Sequence, residues 1–193
     1  SLKILDKTKQ VALENDEKYM AYEIVEFEKL IESQYITRSM QGRADELVIQ
    51  AKELNYKNTI SSKLSNLSLQ LYGIMLKTGY VRSDEEYKYI DDYFNKHISK
   101  FDEKKFGFRE RYWYFNANLW RSFLVQDFLS CYKFSHKWVT LFYDNRNMIF
   151  LNPVFFLKGN HYLLESLFML KYKTNFKKYL EMLEETINDP QFP

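Results

Sequence analysis

Two adjacent carboxylates, Asp91 and Asp92, open the run Asp91-Asp92-Tyr93-Phe94-Asn95 in a helical pattern. Acidic pairs on a helix can hold magnesium when a second acidic cluster faces them across a cavity. The later candidates are Glu181, Glu184 and Glu185, and periodicity puts these on the outer face of the last helix. Two acids on a solvated face is the simpler reading. His161 and Glu165 stand one turn apart and could ligate a metal, but such a site needs three or four convergent ligands. The other histidines, His97 and His136, supply no further close pair. Cys131 lies among apolar residues and reads as a core thiol rather than a nucleophile. Arg109-Glu110-Arg111-Tyr112-Trp113-Tyr114 mixes bases with rings, as RNA-stacking surfaces do. At helical spacing Tyr112 and Phe115 face one way and Arg111 another, which fits a core stripe with a solvated rim. No P-loop, dinucleotide-binding glycine pattern or nucleophile elbow occurs.

The more useful pattern is a set of polar stripes. Lys63, Asn66, Gln70 and Lys77 share one helical face, Arg111, Asn118 and Arg121 a second, and Lys158, His161 and Glu165 a third. Asn116, with Asn118, lies beside the core stripe of its helix, where an amide can bind a peptide backbone. These eleven residues are the expected partner-binding groove, provided that the helices carrying them line one surface. Catalytic residues, a metal and a cofactor are not expected.

Composition bounds the fold that must place them. The chain has 193 residues and is 46% apolar, enough for a packed core and too much for disorder. With 5 glycines and 3 prolines it lacks the turn residues of an all-β fold. A single cysteine excludes internal disulfides and multi-cysteine zinc motifs. The 28 basic and 26 acidic residues nearly balance, which speaks against a nucleic-acid or acidic-membrane surface. No apolar run reaches the length of a membrane span. The chain starts at Ser1 without a signal-peptide pattern and is read as part of a longer protein, with the cytoplasm as its expected location.

The spacing predicts eight helices. Tyr19, Tyr22, Phe27, Leu30 and Ile31 mark the first, and Ala44, Leu47, Val48, Ala51 and Leu54 the second, after Gly42. The polar run Asn55–Ser62 reads as a turn. A third helix carries Leu64, Leu67, Leu71, Ile74 and Met75 and ends near Gly79. Ser83-Asp84-Glu85-Glu86 is a capping box for a fourth, and Phe101–Gly107 a charged connector. A fifth and sixth cover roughly Phe108–Leu124 and Asp127–Tyr143. Asn152-Pro153 starts a seventh, and Thr174-Asn175 caps an eighth with Phe176, Tyr179, Leu180, Leu183 and Ile187 on one face.

An offset of 45 aligns Tyr22, Leu67, Tyr112 and Leu157, then Phe27, Tyr72, Ala117 and Tyr162, then Tyr35, Tyr80, Val125 and Leu170. In the shorter helices it aligns Ala44, Tyr89, Phe134 and Tyr179, and Val48, Tyr93, Trp138 and Leu183. About two such columns would arise by chance at this composition. Leu69, Tyr72-Gly73 and Leu76, with Phe128, Cys131, Ser135 and Trp138, resemble the two-helix pattern of the tetratricopeptide-repeat-like α-solenoids, although the period exceeds the usual ~34 residues. The resemblance implies an all-α, right-handed α-α superhelix of about four stacked antiparallel hairpins, with repeats at 17–61, 62–106, 107–151 and 152–190 in one domain. It also implies a protein- or peptide-binding scaffold with a concave groove. An all-α enzyme or small-ligand binder with an aromatic-lined cavity, and an RNA-binding helical repeat, are the alternatives.

Overall fold

The structure, a computed structural model, describes residues 2–34, 42–98 and 101–193. Tyr35, first in one of the aligned columns, falls outside them. The described residues are all-α, with no strand. The helices are α1 (Leu2–Glu14), α2 (Lys18–Gln34), α3 (Arg43–Thr78), α4 (Asp84–Ile98), α5 (Phe108–Leu124), α6 (Phe128–Asp144), α7 (Arg146–Leu151), α8 (Pro153–Met169) and α9 (Lys173–Ile187). They form two compact units, 1–63 and 64–193, with the division inside α3.

Three hairpins share one connector. α1–α2, α5–α6 and α8–α9 are each joined by three residues. The middle residue, Asp16, Gln126 or Lys171, has φ of 57°, 57° or 59°. In each, the residue after it donates its N–H five positions back: Glu17 to Ala12 (2.7 Å), Asp127 to Ser122 (2.9 Å) and Tyr172 to Leu167 (3.0 Å). This left-handed step uses up the last carbonyls of the first helix and reverses the chain. α5 and α8 begin 45 residues apart (Phe108, Pro153), and so do α6 and α9 (Phe128, Lys173). In the second half of the chain the helix starts thus follow a spacing of 45.

The structure corrects three expectations, two of them in the first half. The predicted turn at Asn55–Ser62 is absent, because α3 runs unbroken for 36 residues. Leu47, Ala51, Leu54, Asn58, Ser61, Leu64, Ser68 and Leu71 are all buried along it, a continuous helical stripe. Its polar members are satisfied in place: the Asn58 amide donates to the Lys18 carbonyl (3.3 Å), and Tyr19 donates to the Asn58 carbonyl (3.2 Å). Without Gly or Pro, polarity alone does not end a helix. Secondly, α1 precedes the first expected helix and makes the hairpin with α2. Thirdly, α7 occupies most of the segment between the two later hairpins. Hairpins at 17–61 and 62–106 are thus replaced by α1–α2 and by α3 leading to α4.

The first unit packs Ala12, Ala21, Val25, Leu47, Ala51 and Leu54. Beside them Glu28, 1% exposed, accepts from Lys9 (2.6 Å) and Arg43 (3.1 Å). The second unit packs rings. Tyr112, Trp138, Phe142 and Phe156 are buried between α5, α6 and α8, with Tyr112 edge-on to Trp138 at 4.9 Å. α8 comes this close because residue 159 is glycine: a Cβ there would sit 2.9 Å from the Trp138 ring. Expected caps appear where the sequence placed them. Ser83 accepts the Glu86 N–H (3.1 Å), Gly79 takes φ of 71° after α3, and Pro153 opens α8.

A groove across alpha3, alpha5 and alpha8

The C-terminal part of α3, the middle of α5 and the first half of α8 line an open groove of about 560 Å³. Its walls carry Tyr72, Tyr112, Trp113, Trp120, Phe155 and Tyr162. The rings run from helix to helix. Tyr72 meets Trp120 at 4.8 Å, Trp120 meets Tyr162 at 5.5 Å, and Tyr112 meets Phe155 at 4.9 Å. Helical spacing places this row: Tyr112, Trp113, Asn116 and Trp120 fall within one stripe of α5.

Polar groups interrupt the rings. Asn66, Ser65 and Ser68 come from α3, Asn116 from α5 and Lys158 from α8. The Ser68 hydroxyl donates to the Asn116 carbonyl oxygen and ties α3 to α5 at the groove floor. Burial raises the Tyr112 hydroxyl above its ordinary pKa, reinforced by Tyr162. Burial likewise raises Tyr162, with Glu165 and Tyr72 adding to it. Both phenols stay protonated donors at neutral pH. Lys158 is the charged residue of the lining.

Of the residues expected here, Asn66, Asn116 and Lys158 line the groove. The others lie elsewhere. Gln70 accepts from Tyr93 of α4 (2.5 Å). Arg121 pairs with Asp91 of α4 (2.5 Å) and lies 6.0 Å from the Tyr87 and Phe94 ring centres. It braces α5 to α4, and Asp91 is thereby occupied as a salt-bridge partner. Asn118 is buried and donates to the Tyr114 carbonyl of its own helix (2.8 Å). Arg111 faces a separate depression of about 270 Å³, with Glu103, Tyr114 and Lys137. Lys63 and Lys77 are exposed on α3. His161 and Glu165 are exposed, 3.8 Å apart. The expected stripe Arg111–Asn118–Arg121 is nearly opposite Asn116, since two residues on a helix turn by about 200°.

Of the lining rings, Tyr72, Tyr112 and Tyr162 stood in the sequence as core candidates. The signal that finds others is the offset of 45. The offset of 45 relates Ser68, Trp113 and Lys158, and all three line the groove. It also relates Tyr72 to Tyr162.

The other chemical candidates resolve simply. Among the described residues no group of three or more His, Cys, Asp or Glu is placed to hold a metal ion. Asp92 and Glu181, Glu184 and Glu185 are exposed. Cys131 is fully buried, and burial pushes its thiol up to about 12. His136 stands between Tyr132 (5.7 Å) and Tyr179 (5.5 Å), and burial, then Lys178, lowers its pKa. The ring Nδ1 of the exposed His97 is 2.7 Å from the Tyr93 carbonyl oxygen. Tyr112 is buried, and the Glu110 carboxylate accepts the Gly107 N–H (2.8 Å). Arg109–Tyr114 therefore does not present Tyr112 as an exposed stacking ring. Among the described residues no helix is long and apolar enough to cross a membrane. Comparison with protein-family models, curated proteins and solved structures gives no match.

Proposed function

We propose that the chain is a helical-repeat scaffold whose groove takes a segment of another protein. One observation carries this reading: α5, α8 and the C-terminal part of α3 place six rings, two amides and one lysine around a single open groove of the second unit. The rings offer apolar anchoring surface at low entropic loss. Asn66 and Asn116 can pair with a peptide backbone, and Lys158 favours a segment with an acid near its anchor. A nucleic-acid strand would ask for several cations along the groove rather than one. On this reading the chain binds and performs no reaction.

The test is selection of binders from a displayed random-peptide library, followed by titration with Trp113 and Trp120 fluorescence as the signal. Tyr72→Ala with Asn66→Ala should weaken selected peptides by about ten-fold or more, with the melting curve unchanged. Peptides that bind both variants as well as the parent chain would move the binding surface off the groove. The groove volume also falls within the range of small-ligand pockets, roughly 300–1,000 Å³, which favours a small apolar ligand as the second reading. A thermal-shift screen in which one compound stabilises the chain, and no peptide competes with it, would select that reading.

A further inference from the structure

The two equivalent hairpins of the second unit are covered unequally. In α5–α6, Phe123 is 4% exposed and Leu124 is fully buried. Phe123 is covered by α8, through Tyr162 at 5.8 Å. The same positions of α8–α9, one offset later, are Phe168 and Met169, which are 72% and 46% exposed. The second helices differ in the same way. Trp138 and Phe142 of α6 are fully buried, whereas Ile187, the counterpart of Phe142, is 41% exposed, and α9 has no buried residue at all.

The inner side of α9 is accounted for. Phe176 and Tyr179 pack on Val139, Leu163 and Leu167, and Tyr143 of α6 hydrogen-bonds the Met182 carbonyl (3.3 Å). Leu183, the counterpart of Trp138, packs on the aromatic core, and what remains open lies where the end of α8 meets the start of α9. There a depression of about 580 Å³ is lined by Leu167, Phe168, Met169 and Phe176, with Lys171 and Lys173 on it. Neither lysine forms an ion pair among the described residues. No acidic residue occurs between Glu165 and Glu181, a stretch that holds four lysines. The near-neutral charge of the whole chain conceals this local excess.

We propose that this face receives an amphipathic helix from a partner protein, seated on α9 and the end of α8 as α8 is seated on α6 and the end of α5. Its carboxylates face Lys171 and Lys173, and an aromatic or large aliphatic side chain rests on Phe168 where Tyr162 rests on Phe123. Continuity with the α6–α8 interface argues for a helix, and the lysines argue for its acidic flank. The surface is distinct from the groove and does not depend on the function proposed for it.

The probe is a synthetic amphipathic helix of 17 residues, the length of α8, with Leu and Tyr on one face and Glu on the flanks. Its control carries Lys at every Glu position. Titrated into the intact chain and followed by anisotropy, the Glu peptide should bind and the Lys peptide should bind about ten-fold more weakly or worse. Phe168→Ser with Met169→Ser should lower Glu-peptide affinity by a similar factor, and Lys171→Glu with Lys173→Glu should reverse the preference. All four positions are exposed or partly exposed, so thermal melting should not move. Tyr72→Ala in the groove should leave this binding intact. The proposal is overturned if the Glu peptide fails to bind, or if binding ignores the changes at Phe168 and Met169. It is also overturned if those changes instead abolish self-association of the chain or its sedimentation with phosphatidylserine vesicles. Either result would name a different occupant.

Discussion

Glu28 and Trp138 are both withdrawn from solvent, at 1% and 0% exposure, yet their surroundings differ in kind. Glu28 is held by Lys9, itself 8% exposed, and by Arg43. Burial opposes the Arg43 charge, while Glu28 and Asp6 outweigh it and keep the guanidinium firmly protonated. Trp138 sits among rings and meets no charge in its cluster. The first unit thus owes its geometry in part to an ionic knot across α1, α2 and α3, beside its apolar cluster, and such a knot is directional and fails when one member is lost. The second owes it to interlocking shape, which is undirected and fails through voids or excess volume. The groove belongs to the second unit, where rigid rings can be shared between core and surface.

The sharpest way to break this contrast is to remove one partner of the knot. Lys9→Met leaves Glu28 without its nearest cation and should destabilise the first unit by about 3–5 kcal/mol. Hydrogen exchange should show protection lost in α1 and α2 and retained in α5, α6 and α8. A uniform loss, or a change under about 1 kcal/mol, would deny the first unit its own ionic lock. Replacing Lys9, Glu28 and Arg43 together by Met, Leu and Met should restore much of the stability, since the buried charge is then gone.

Trp138→Ala should cost about 3–5 kcal/mol in the second unit by the void it leaves, with exchange in α1 and α2 unaffected. Gly159→Ala adds one methyl group against the Trp138 ring and should cost about 1–3 kcal/mol. Gly159→Ala with Trp138→Phe should be milder than either change suggests alone, because the smaller ring withdraws from the new Cβ.

A smaller effect separates the units by pH. His136 lies in the second unit with its pKa lowered by burial, so the unfolded chain binds its proton more readily than the folded one. Stability should fall as pH drops below about 6.5, the unperturbed value. His136→Phe should flatten that slope. Asp6, in the first unit, behaves in a lower window. Burial raises its carboxyl, but hydrogen bonds to Glu28 and Arg43 and the charges of Arg43 and Lys9 outweigh it. Its contribution is present above about pH 4 and is lost as pH falls further. Melting curves between pH 4 and 7 should therefore move for the parent chain and hardly at all for His136→Phe.

Much of the helical content is written in spacing. Leu64, Leu67 and Leu71 of α3 mark a buried stripe by spacing alone, and Asp127, Ser83 and Pro153 mark helix starts through their chemistry. What misleads is polarity taken as a break. Asn55–Ser62 looks like a turn, yet Asn58 and Ser61 are inside the molecule, and burial of a satisfied amide or hydroxyl leaves no trace in the letters. The candidate site shows the converse error. Asn118 and Arg121 have the right types, but Asn118 is taken up by its own helix and Arg121 by α4. Tyr72 and Tyr162 look like core and are groove wall. An aromatic residue on a helical stripe can serve either purpose, and only the packing of α3, α5 and α8 decides which.

The shared three-residue connector has its own corollary. Asp16, Gln126 and Lys171 adopt a backbone conformation that favours glycine, and none of them is glycine. Each stores roughly 1 kcal/mol of local strain, so glycine or asparagine at these positions is a route to a hardier chain that leaves core and groove intact. The bend is therefore enforced by helix-end hydrogen bonds and by the lengths on either side, and hairpins of this sort can be traced in other chains by their gaps and lengths rather than by a signature residue.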